Sequence, residues 1–143
     1  MPAIRFFEED IAYKLKNKMN VRQWINETVV AEGFHLQEIT YIFCSDAYLL
    51  QINRQYLGHD TYTDTITFDN SPAKGKITGD IFISIPRVVE NAASFNVSPT
   101  DELHRVMIHG VLHLAGYKDK TAASKKKMTE KEDYYLAKRN FIS

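Results

Sequence analysis

Ser98-Pro99-Thr100-Asp101-Glu102-Leu103-His104-Arg105-Val106-Met107-Ile108-His109-Gly110-Val111-Leu112-His113-Leu114-Ala115-Gly116-Tyr117-Lys118-Asp119 is the stretch on which the fold turns. Ser98 is a helix N-cap, Pro99 suits the first helical position, and Asp101 at the third completes the start signal. Gly116 ends the helix in the left-handed conformation. At about 100° per residue, Leu103, Val106, Met107, Gly110 and Leu114 fall on one apolar stripe, while Ile108 and Leu112 are apolar nearly opposite. A helix apolar most of the way round is buried, so this one is central to the fold. His109 and His113 lie at the edge of the main stripe. Four residues apart, they share one helix face one turn above another, and their imidazoles can bind a single ion.

The turn at Gly116 brings the chain back and lets Asp119 approach that ion. The spacing from His109 through His113 and Gly116 to Asp119 matches the metzincin arrangement, with aspartate as third ligand. Zinc accepts carboxylate oxygen in catalytic sites, so Zn2+ at one ion per chain is the expectation. Two histidines and a carboxylate also suit Fe2+. Zinc proteases with this spacing carry a glutamate general base after the first histidine. Gly110 stands there, and the peptidase reading lacks its proton acceptor.

Outward from this helix, Ile4 to Phe7 suits an edge strand. Asn20 is placed to cap a helix carrying Val21, Trp24, Ile25, Thr28 and Val29, closed by Gly33. Ile39 to Cys44 reads as a strand. A helix capped by Ser45 or Asp46 follows, through about Tyr56. Thr65 to Phe68 and Ile81 to Ile85 are strand-like, separated by a loop marked by Asn70, Ser71, Pro72, Gly75 and Gly79, with Asp80 capping or hydrogen-bonding a turn before the second strand. Helices from about Arg87 to Phe95 and from Ala122 to Arg139 complete the chain. Without regular βαβ repetition, this order predicts an α+β fold in a single domain, residues 1–143. About four strands form a small mixed sheet, packed with about five helices around the histidine-bearing one.

The 143 residues are 44% hydrophobic and 25% charged, ordinary for a globular protein. No apolar run approaches the roughly 20 residues that cross a bilayer, and Met1 to Asp10 lacks a basic-then-apolar leader. The single cysteine, Cys44, excludes an internal disulfide and fits a small buried hydrophobe in a reducing compartment. A cytoplasmic location without membrane contact is therefore expected. Eighteen basic residues cancel eighteen acidic ones, so nucleic acid would be met by a local patch rather than a global field. Lys118, Lys120, Lys125, Lys126 and Lys127 form the candidate patch.

His109, Gly110, Leu112, His113, Leu114, Gly116 and Tyr117 resemble the signature H-G-x-L-H-L-x-G-Y-D-H of the YbeY family of ribosomal-RNA maturation endoribonucleases. Asn53, Tyr56, Asp60, Thr63, Asp64, Ile66 and Phe68 resemble a second family block, and Gly79 to Ser84 a third. The resemblance implies a zinc-bearing α+β domain that cuts single-stranded RNA, with ribosomal RNA and the small ribosomal subunit as partners. It implies roles in rRNA processing and ribosome quality control, and no DNA is expected. Asp119 stands where the family usually has a third histidine, which reads as a ligand swap. Lys118 replaces an aspartate, and Leu57 a family arginine tied to catalysis. Arg54, one turn back from Leu57, and Lys118 beside the third ligand are the candidates to offset phosphate charge. Two other readings stand beside this one: a metal-stabilised RNA-binding module without nuclease activity, and a peptidase-like hydrolase.

Overall fold

The computed structural model describes residues 3–142. A four-stranded mixed sheet carries the architecture, in the order β1-β2-β4-β3. β1 (Ile4–Glu9), β2 (His35–Cys44) and β4 (Lys76–Ser84) run parallel to one another, and β3 (Thr65–Asp69) is antiparallel to β4. Five α-helices accompany the sheet: α1 (Lys18–Ala31), α2 (Asp46–Ile52), α3 (Ile85–Ser94), α4 (Pro99–Leu114) and α5 (Ala122–Leu136). The α+β class, the mixed sheet and the edge position of the first strand agree with the sequence.

Side chains alternate across the sheet, so each inner strand feeds two apolar layers. Ile39, Tyr41 and Phe43 of β2, with Ile77, Ile81 and Ile83 of β4, enter the main core with α1 and α4. On the other face, Phe82 and Phe68 pack with Leu49 and Ile52 of α2. Two glycines let α4 come close to β4. A Cβ on Gly79 would meet both terminal carbons of Leu114, and the Phe68 carbonyl oxygen, at 2.8 Å; a Cβ on Gly110 would lie 2.7 Å from Ile81 Cδ1. Tyr41, fully buried, donates its hydroxyl to the Met107 carbonyl at 3.0 Å and ties sheet to helix.

Several boundaries differ from the sequence reading. α1 begins at Lys18 after Asn17, which takes φ 57°, so Asn20 lies inside the helix rather than capping it. β4 starts at Lys76 because it pairs with β2 from His35 onward. Asp80 is thereby inside the strand instead of in a turn before it, and its carboxylate accepts from Asn70 Nδ2 at 3.2 Å. The helix expected to reach Tyr56 is α-helical only to Ile52 and widens to a π turn over Asn53–Leu57. The last helix stops at Leu136.

Candidate metal centre

α4 supplies two of three candidate donors, and the loop after it the third. Ser98 caps the helix by accepting from the Asp101 N–H at 3.0 Å. Gly116, at φ 103°, turns the chain, with the Tyr117 N–H returning to the Leu112 carbonyl at 3.0 Å. The turn carries Asp119 over the histidine face. His109, His113 and Asp119 each offer an atom within 4.8 Å of the others. Asp119 Oδ2 stands 3.4 Å from His109 Nε2 and 3.3 Å from His113 Nε2. Ligands about 2.0–2.1 Å from a tetrahedral ion stand roughly 3.4 Å from each other. The donor chemistry and these two separations therefore fit one divalent ion.

Around the triad lies a hollow of about 730 Å³, whose wall includes His59, Tyr62, Asp64 and Lys120. Asn53, buried in the π turn, donates Nδ2 to the Thr61 carbonyl at 2.8 Å and pins the loop that forms the far wall. Asp64 is fixed through its backbone, its carbonyl accepting from the Ser84 N–H at 2.9 Å. Leu57 also lines the hollow, 44% exposed, so an apolar side chain occupies the place the resemblance gives to an arginine.

The other candidates are placed differently. Arg54 is exposed, paired with Asp60, and lines a separate concavity with Tyr48 and Gln51. Lys118 is exposed beside the third donor, whereas the basic side chain on the wall is Lys120. Lys125, Lys126 and Lys127 are exposed on α5. Tyr117 points away from the hollow and donates its hydroxyl to Glu32 at 2.6 Å. Tyr62 stays 56% exposed, with the Arg87 guanidinium 5.1 Å from its ring centre. Cys44 is buried, and burial, helped by the Asp46 charge, pushes its thiol up to about 12.

One group at the centre escaped the sequence reading. Glu132 on α5, only 8% exposed, places Oε2 at 2.6 Å from His109 Nδ1. Burial works to lower the His109 pKa. The hydrogen bond and charge of Glu132, with Asp119 and Asp64 behind them, overcome it and hold that pKa above the usual imidazole value. The available signal was the i, i+4, i+7 spacing of Met128, Glu132 and Tyr135, the buried stripe of an otherwise charged helix.

A buried helix presenting two histidines to an open hollow, with a carboxylate brought beside them by the following turn, on a small α+β scaffold, defines the class: a domain with a donor set that could hold a metal ion. The model of the family described as Endoribonuclease YbeY matches residues 4–140. A protein of Cytophaga hutchinsonii named Endoribonuclease YbeY is 55% identical over 138 residues, covering 96% of each chain. One of the same name from Flavobacterium psychrophilum is 50% identical, covering 91% of this chain and 92% of the relative. A solution structure of a Thermotoga maritima protein aligns with TM-score 0.65 and 32% identity, covering 93% of this chain and 86% of that one. The chain belongs to the Endoribonuclease YbeY family, and endoribonuclease is the activity that family carries.

Proposed function

We propose that this protein is a zinc-dependent, single-strand-specific endoribonuclease acting in the cytoplasm on ribosomal RNA of the small subunit, in rRNA maturation and ribosome quality control. The observation that carries the reading is the convergence of His109, His113 and Asp119 on one open hollow, with the carboxylate 3.3–3.4 Å from both imidazoles. His109, His113 and Asp119 would hold the ion, which when bound supplies Lewis acidity to a phosphodiester and to water. The chain's own groups do the rest. Lys120 on the wall and Lys118 beside Asp119 offset phosphate charge. Tyr62 offers an aromatic face to an unpaired base, which only a single strand presents freely. Arg54 reaches the RNA only by leaving Asp60.

Leu57 favours a second reading, RNA binding without cleavage, because an apolar side chain faces the hollow where an arginine would stabilise the phosphate. Incubating the zinc-loaded protein with single-stranded RNA, duplex RNA and a peptide pool separates the readings. We expect internal cuts in single-stranded RNA that stop on chelation and return with Zn2+. RNA retained but uncut would support the binding module, and cut peptides would contradict both.

A further inference from the structure

The buried carboxylate behind His109 has more structure than packing requires. Its Oε2 faces His109 Nδ1 at 2.6 Å, while Oε1 accepts from Arg105 Nη1 at 2.8 Å. Arg105 continues to Asp133 at 2.6 Å. Buried polar oxygens need partners, and here a guanidinium takes one and an imidazole the other. An anion at Oε2 makes Nδ1 the donor. The lone pair of the ring is then at Nε2, on the side where Asp119 Oδ2 stands. The competing pull on the proton, from Asp119 at 3.4 Å, acts over a longer contact than that of Glu132.

We propose that Glu132 is a positioning residue of the metal centre: it fixes the tautomer and ring orientation of His109, and Arg105 holds the carboxylate in place. The proposal rests on His109 being a metal ligand. Outer carboxylates of this kind raise the basicity of the ligating nitrogen, and their loss costs about 10- to 100-fold in metal affinity. A merely structural Glu132 would be a brace between α4 and α5, and its removal would lower the melting temperature without touching the metal.

Two measurements decide. Long-range proton–nitrogen NMR of wild-type, metal-free protein at a pH where His109 is neutral should show the proton on Nδ1 and a bare Nε2. A proton on Nε2 would overturn the proposal without any variant. Zn2+ affinity, by competition with a chromophoric chelator, should fall about 10- to 100-fold in Glu132→Ala. Glu132→Gln should recover part of that loss, because its amide oxygen still accepts from Nδ1–H although it no longer balances Arg105. His113→Ala separates this idea from the site itself. If His113→Ala loses zinc while Glu132→Ala stays within twofold of wild type, the positioning role is wrong and the site stands. If His113→Ala binds zinc like wild type, the site assignment falls first.

Discussion

Gly110 shows how one residue can serve packing and settle chemistry together. It follows His109, at the position where a zinc protease carries its glutamate, yet it is buried against Ile81. A side chain there would run into the sheet rather than into the hollow, which disfavours peptidase chemistry by direction as well as by composition. Adding a methyl group gains up to about 1 kcal/mol of helix propensity. Against that, Gly110→Ala brings a carbon within 2.7–3.2 Å of three Ile81 atoms, and over-packing costs about 1–3 kcal/mol. We expect a net loss of about 1 kcal/mol by denaturant unfolding, relieved by adding Ile81→Val. No loss would mean that α4 rides further from the sheet.

His104 belongs to the same helix and has a structural part. It is 2% exposed, and its Nδ1 accepts from Arg139 Nη1 at 2.8 Å. Burial, with the Arg139 charge assisting and Asp101 opposing, holds its pKa down to about 4. Between about 6.5 and 4 the unfolded chain therefore carries a proton that the folded chain refuses. Stability rises with pH across that window and is lost as pH falls, by about 1.4 kcal/mol per pH unit and about 3 kcal/mol altogether. Melts of metal-free wild type and His104→Gln from pH 4 to 7 should show a flatter acid limb in the variant. The opposing contribution of His109 is common to both proteins. Parallel limbs would show that His104 does not set the slope.

At the scale of elements, α4 was legible because all its determinants are local. The Ser98 cap, Pro99, the apolar stripe and Gly116 lie within one stretch, and the structure places the helix there. The start of β4 was not. Lys76, Thr78 and Asp80 look like loop composition, and they become strand only because β2 lies alongside to pair with them. The π turn after Ile52 is likewise set by what it holds, the Asn53 amide reaching Thr61. Glu132 was hidden for a different reason. In a helix reading Lys-Met-Thr-Glu-Lys-Glu-Asp, one carboxylate among many shows nothing of the histidine across the fold. α5 carries its own prediction. Lys125, Lys126 and Lys127 are exposed on it, and in a chain of zero formal net charge RNA attraction has to be local. Reversing all three to glutamate should weaken single-stranded RNA binding and flatten its dependence on salt, since fewer counterions are released. Unchanged affinity and slope would place the RNA path elsewhere on the surface.

For the molecule as a whole, the centre joins distant parts of the chain. His109 and His113 come from α4, Asp119 from the turn beyond it, and the supporting carboxylate from α5. Glu32 at the end of α1 accepts from Tyr117 and Tyr135 and pairs with Lys131, so the turn leading to Asp119 is anchored to two helices at once. An ion that binds only this folded arrangement stabilises the protein by about 2.7 kcal/mol at a free concentration 100 times its Kd. Asp119 is the candidate donor whose identity departs from the signature that the sequence resembles. Capping of α5 does not explain Asp119: Thr121 is the cap, its hydroxyl accepting from the Ser124 N–H at 3.0 Å. The most direct test is a zinc titration of wild type, Asp119→Ala and Asp119→His, with melts of each metal-free protein. We expect one ion per chain in wild type and a marked loss of affinity in Asp119→Ala with little change in the metal-free melt. Asp119→His should recover binding. Wild-type zinc affinity in Asp119→Ala would remove Asp119 from the site.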